Sequence, residues 1–147
     1  MELFGKPKAK HHILKQLFLF WFGGATYASI EVIFRGHSHW SMILLGGCCF
    51  ICLGEINKIV PWKTPLTLQM LLGSIVITSL EFITGCIVNL ELGLDVWDYS
   101  DMPLNLLGQI CLPFSIIWFF FSALGILLFD YLDYWFFGGE KPRYRLF

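Results

Sequence analysis

LTLQMLLGSIVITSLEFITGCIVNL, residues 66–90, is the stretch whose reading decides the fold class of this chain. As a helix it is long enough to cross the roughly 30 Å of hydrocarbon in a bilayer. One ionisable residue, Glu81, stands well inside it. A carboxylate at that depth is expensive in lipid, so the position is expected to be paired, hydrated or functional. Glu81 sits about nine residues from one end of the stretch, or roughly 13 Å at 1.5 Å per residue.

Composition points the same way. Of the 147 residues, 56% are hydrophobic and 14% charged, where a soluble domain carries about 25% charged residues. A single core of this size cannot hide that much apolar surface, so the lipid bilayer is the expected partner. The net charge of -1 predicts no nucleic acid and no acidic partner. The five cysteines, Cys48, Cys49, Cys52, Cys86 and Cys111, all lie in apolar stretches. They read as small polarizable residues in helix interfaces, with a metal at Cys49-x-x-Cys52 as the alternative. No small-residue cleavage site ends the first apolar run. It continues past Gly23 and Gly24 to Phe34, and reads as a membrane helix.

Working outward from residues 66–90, four spans are expected, at about 14–34, 40–56, 66–90 and 106–129. The fold class is therefore all-α: an integral membrane bundle of four transmembrane helices in a single domain. Pro61 and Pro65 punctuate the loop before the third span, and Pro113 falls inside the fourth, where it should kink the helix. Lys6, Lys8, Lys10 and Lys15 precede the first span, Lys58 and Lys63 separate the second from the third, and Lys141, Arg143 and Arg145 follow the fourth. The loop between the third and fourth spans holds Glu91, Asp95, Asp98 and Asp101 and no base. The positive-inside rule then puts both termini in the cytoplasm of a multi-pass cell-membrane protein. Tyr131, Tyr134, Trp135, Phe136 and Phe137 form an interfacial belt, after which Gly138 and Gly139 end the last helix.

Helical periodicity places Ser74, Thr78, Glu81, Gly85 and Asn89 on one face of the third span. It likewise aligns Gly24, Ala28, Glu31 and Arg35 on the first, and Ser41, Cys48, Cys52 and Glu55 on the second. Small and polar stripes of this kind pack helices in lipid, so the three are expected to face one another. Glu55 beside Lys58 reads as an interfacial ion pair. Arg35 lies one turn beyond Glu31, at the spacing that lets the two pair.

The remaining suggestive residues gather at one end. The first outer loop supplies Arg35, His37, His39 and Trp40. The second supplies Trp97, Asp98, Tyr99 and Ser100, with Asn105 and Gln109 opening the fourth helix and Asn89 closing the third. Separately, each has a structural explanation in capping, turns or interface anchoring. Together, Glu31, Glu81, Asn89, Trp97, Asp98, Tyr99, Asn105 and Gln109 form a candidate substrate-binding set, with Arg35, His37 and His39 as gating or ion-pair residues. A cationic or polar solute suits carboxylates beside aromatic faces. His37 and His39 are the weak candidates for a metal with Glu31 or Asp98. No cofactor is expected, and no GxxxxGK[ST] phosphate loop is present.

Three segments carry a resemblance: EVIFRGHSHWSM at residues 31–42, EFITGCIVN at 81–89, and WDYSDMPLNLLGQICLPFSIIW at 97–118. They resemble the bacterial CmpB family of type IV ABC-transporter permeases. The EF-x-TG and WDYS elements, without the paired histidines, are also distantly similar to small four-span animal membrane proteins. The family resemblance implies a four-span protein of the bacterial inner membrane with a transport role, and assigns no residue a function. A four-span unit has little room for an enclosed pathway, so the resemblance further implies a homo-oligomer, a dimer at the simplest, and a separate ATPase subunit. Three functions stay open on the residues: a small permease with an outward-facing polar cavity, a membrane-embedded enzyme acting on a lipid or small molecule at the outer leaflet, and a non-catalytic accessory subunit.

Overall fold

The computed structural model describes the backbone from residue 9 and side chains from residue 12 to residue 147. Lys6 and Lys8, with the side chain of Lys10, lie outside the described residues. Four helices follow one another: α1 (Ala9–Arg35), α2 (Trp40–Ile59), α3 (Leu66–Gly85) and α4 (Leu112–Phe137). Each is long and apolar enough to cross a membrane. A π-helical turn, Cys86–Glu91, extends α3. The chain is an all-helical bundle, as its apolar periodicity dictates.

The helices pack as two hairpins. α1 lies along α2, and α3 along α4, while α2 also touches both α3 and α4. Glycines let α1 and α2 approach closely. A Cβ on Gly47 would stand 2.7 Å from the Phe20 carbonyl oxygen, and one on Gly46 would stand 2.7 Å from Tyr27 Cβ. Such contacts replace hydrophobic association in lipid, where apolar surface gains nothing from leaving the solvent. The larger core runs through α2, α3 and α4 around Leu45, Leu53, Ile77, Trp118 and Ile126. A second cluster of Leu19, Phe50, Phe129 and Leu132 ties α1 to α4.

That second cluster lies at the end of the bundle where the chain enters and leaves it. There Lys15 pairs with Asp133, and the Phe18 and Phe137 rings are 5.7 Å apart. The segment after α4 folds back over the same end. The carbonyls of Arg145 and Leu146 accept from the amides of Leu66 (2.6 Å) and Thr67 (3.4 Å), satisfying donors that the start of any helix leaves open. Tyr144 donates to Asp130 Oδ2 at 2.6 Å, and the Trp62 indole donates to Glu140 at 2.6 Å. Both ends of the described chain therefore share one end of the bundle. Glu55 and Lys58 pair there at 2.9 Å, as their spacing predicts.

Gly138 closes α4 at φ 71°, and its N–H reaches the Asp133 carbonyl. Nothing crowds its missing side chain, so backbone conformation alone requires glycine. Gly138→Ala is expected to cost about 1 kcal/mol, the penalty of a side chain in the left-handed region, read as a lowered melting temperature.

Three expectations are corrected. The fourth helix begins at Leu112, not at 106, and residues 106–111 are loop. Leu104, Leu107 and Gly108 take positive φ, and Leu106 and Ile110 form an isolated antiparallel bridge, so the backbone cannot enter a helix there. Pro113 consequently falls in the first turn of α4, where its missing N–H costs nothing, and does not kink a helix interior. Finally, the second span's stripe faces its partners only in part: Ser41 is buried and Cys52 half-buried. Cys48 is exposed, while Met42, Leu45, Cys49 and Leu53 turn inward.

Candidate functional site

The end of the bundle away from the termini carries the clustered polar residues. The segment after the π-turn forms their lid, and side chains hold it down. The Asn89 amide donates to Gln109 Oε1 at 2.8 Å, and its oxygen accepts from the Val96 amide at 2.7 Å. The Trp97 indole donates to the Gln109 carbonyl at 3.0 Å. Gly85 makes room for this arrangement, since a Cβ there would stand 2.6 Å from Gln109 Oε1 and 3.0 Å from the Trp97 ring. Within the loop, Asn105 donates to the Met102 carbonyl at 2.9 Å and accepts from the Gly108 amide at 3.1 Å.

Glu81 anchors the same loop from below. Its Oε1 accepts from the Tyr99 hydroxyl at 2.9 Å, and its Oε2 from the Trp118 indole at 2.9 Å. Both oxygens are thus bonded, and the residue is 3% exposed. Tyr99 stacks on Phe114 with ring centroids 4.7 Å apart. Burial, and next the charge of Glu81, push the Tyr99 phenol well above its ordinary range, which keeps it a neutral donor. Deeper along the α3–α4 seam, Ser74 donates to the Ser115 carbonyl at 2.7 Å, and Thr78 meets the Ser115 hydroxyl at 2.9 Å.

Under the lid lies a half-open cavity of about 350 Å³, lined by Tyr27, Glu31, Arg35, Trp97, Asp98, Tyr99 and their apolar neighbours Met42, Met102, Phe114 and Trp118. Glu31 is 7% exposed. Its Oε1 accepts from Arg35 Nη1 at 3.0 Å, the contact that the one-turn spacing predicts. Arg35 also reaches the Val96 carbonyl at 3.3 Å, tying α1 to the lid. Glu31 Oε2 is buried with no hydrogen-bond partner. At the rim, Asp98 accepts from the Ser100 amide at 2.9 Å and from the Ser100 hydroxyl. These bonds hold its carboxyl below the usual range, so it stays charged.

The candidate residues therefore separate. Glu31, Arg35, Trp97, Asp98 and Tyr99 share the cavity. Glu81 lies beneath it, bonded to two of its lining residues. Asn89, Asn105 and Gln109 organise the lid, and neither Asn105 nor Gln109 opens the fourth helix. His37 is exposed. His39 is the N-cap of α2, its Nδ1 accepting from the Ser41 amide at 3.2 Å. Among the described residues, no three His, Cys, Asp or Glu side chains cluster to hold a metal ion.

Some site residues carried no readable sign in the sequence. Trp118, which binds Glu81, sits in an unbroken apolar run, and Tyr27 looks like any interfacial aromatic. At the termini end Asp130 is a further buried carboxylate, accepting from Asn57 (2.5 Å) and Tyr144 (2.6 Å). Its signal was its register: Ser122, Ile126 and Phe129 form the buried face of α4 that Asp130 continues.

Four membrane-length helices enclosing bonded carboxylates, with a polar cavity at one end, define a multi-pass membrane protein. The chain belongs to the family described as Putative ABC-transporter type IV (CmpB), which matches residues 18–138. It is accordingly a membrane transport-related protein. No curated protein and no solved structure matches it, and no comparison supports the expected similarity to small animal membrane proteins.

Proposed function

We propose that the protein is a small permease subunit whose cavity faces the outside of the cell and binds a small solute through a cationic or donor-rich group. The carrying observation is Glu31, a nearly buried carboxylate with one oxygen on Arg35 and the other unpartnered at the cavity wall. An acceptor left open in a buried site costs free energy, and a ligand donor offsets it. Asp98 adds charge at the rim, and the faces of Trp97, Tyr99 and Trp118 suit a cation.

Orientation is part of the proposal. Lys58, Lys63, Lys141, Arg143 and Arg145 belong to the termini end, and Glu91, Asp95, Asp98 and Asp101 to the other. The positive-inside rule assigns the basic end to the cytoplasm. Family membership supports a separate ATPase partner, which would approach that basic end. A four-span unit completes a pathway by pairing with a second copy.

Glu31→Gln tests the site. The glutamine oxygen still accepts from Arg35, but its NH₂ replaces the open acceptor. With the chain in lipid nanodiscs, methylammonium and guanidinium serve as probe cations for calorimetry. Glu31→Gln is expected to weaken binding at least tenfold, about what losing one charged hydrogen bond costs. Equal binding by wild type and variant overturns the assignment.

A further inference from the structure

Below the lid a second cavity opens sideways between α1 and α4. Its walls include Thr26, Tyr27 and Ile30 of α1 and Leu124 and Gly125 of α4, α2 floors it from Leu45 to Leu53, and Glu81 and Trp118 also line it. The two wall helices meet chiefly at the termini end, through Lys15–Asp133 and Phe18–Phe137, and diverge above. Leu124 is 62% exposed at the edge, so the opening faces whatever surrounds the bundle at that depth, which is lipid. The cavity holds about 140 Å³. An apolar space of roughly 150 Å³ takes a benzene-sized molecule, whereas a helix of 10–12 Å diameter needs far more. The shape suits part of an alkyl chain and excludes the helix of a second copy.

Tyr27 and Trp118 line both this cleft and the polar cavity, with their rings 6.1 Å apart. They form a shared wall. Tyr27 and Glu31 lie one helical turn apart, about 6 Å along the axis. A chain along Thr26 and Ile30 therefore brings its head within one turn of Glu31, beside the Tyr27–Trp118 pair.

Resting on the cation-binding reading above, we infer that the ligand is an amphiphile: a single alkyl chain that enters sideways from the bilayer between α1 and α4, carrying a cationic head to Glu31. The lipid-facing cleft supplies the route, and the unpartnered Glu31 oxygen supplies the head-group contact.

Photolabelling of the full chain in phosphatidylcholine nanodiscs tests this. The probes are diazirine-bearing dodecylamine and the matching diazirine-bearing dodecanol, which has the same chain and no charge. The amine is expected to label α1 and α4 at the cleft at least tenfold more than the alcohol does. Glu31→Gln should remove that preference. Thr26→Phe, which fills the cleft, should reduce labelling there by both probes, with melting temperatures confirming that each variant folds. Amine labelling spread evenly over the lipid-facing surface, or insensitive to both substitutions, overturns the inference. If methylammonium binding still depends on Glu31 in that case, the cation-binding reading stands without the lateral route. Glu31-dependent cleft labelling with no binding of methylammonium or guanidinium supports the amphiphile over a small water-soluble cation.

Discussion

Replacing Glu81 with leucine is expected to destabilise the protein by about 1–4 kcal/mol and to release the lid, because the buried Trp118 indole loses its acceptor at about 1–3 kcal/mol and the part-buried Tyr99 hydroxyl loses its own at about 1 kcal/mol or less. The Trp118 indole and the Tyr99 hydroxyl both point at this carboxylate from 2.9 Å, and neither has another acceptor in the structure. Leucine fills the space and answers neither. Glu81→Gln should behave differently. Its oxygen accepts from Trp118, and its NH₂ donates to Tyr99, whose hydroxyl can turn to accept. The loss is then expected to stay below about 1 kcal/mol, the scale of one rearranged hydrogen bond. Unfolding in bicelles measures the order: wild type near the glutamine variant, and leucine far below both. Hydrogen exchange at Val96 and Tyr99 should rise in the leucine variant alone. A leucine variant as stable as wild type would show that the carboxylate does not hold the lid.

The second large effect is expected at Gly47. A Cβ there already stands 2.7 Å from the Phe20 carbonyl oxygen and 2.8 Å from the Phe20 ring. Gly47→Val adds two further methyl groups against the backbone of α1. Overpacking costs about 1–3 kcal/mol where side chains can yield, and a helix backbone yields less readily, so the upper part of that range is expected. Both hairpin helices must separate to fit the valine, which also moves the α1 wall of the lipid-facing cleft. A lowered melting temperature with weakened dodecylamine labelling is the expected pair of results. Unchanged stability would mean that α1 and α2 do not rely on close backbone approach.

The reason some features were readable from the chain is physical. Membrane spans announce themselves through length and apolar content, which need no knowledge of neighbours, so α1, α2 and α3 begin and end close to where hydropathy puts them. The fourth span misled because Leu104, Leu106, Leu107 and Ile110 are as apolar as any helix. Their loop conformation comes from Asn105, Gly108 and the left-handed backbone around them. Glu31 and Arg35 paired as their one-turn spacing implied. The partners of Glu81 were hidden because a tryptophan in a greasy run gives no sign of where its N–H points. The α2 stripe held at Ser41 and broke at Cys48 for a related reason. Cysteine is small and apolar enough to face lipid or protein equally, so Cys48 carried no directional information.

The segment that folds back after α4 has a practical consequence. The carbonyls of Arg145 and Leu146 cap the first turn of α3, and Tyr144 reaches Asp130 inside the bundle. Purification tags or fluorescent fusions joined directly to Phe147 would tug on the entry of a transmembrane helix. Reporters for assembly or localisation attached after Phe147 belong behind a long flexible linker.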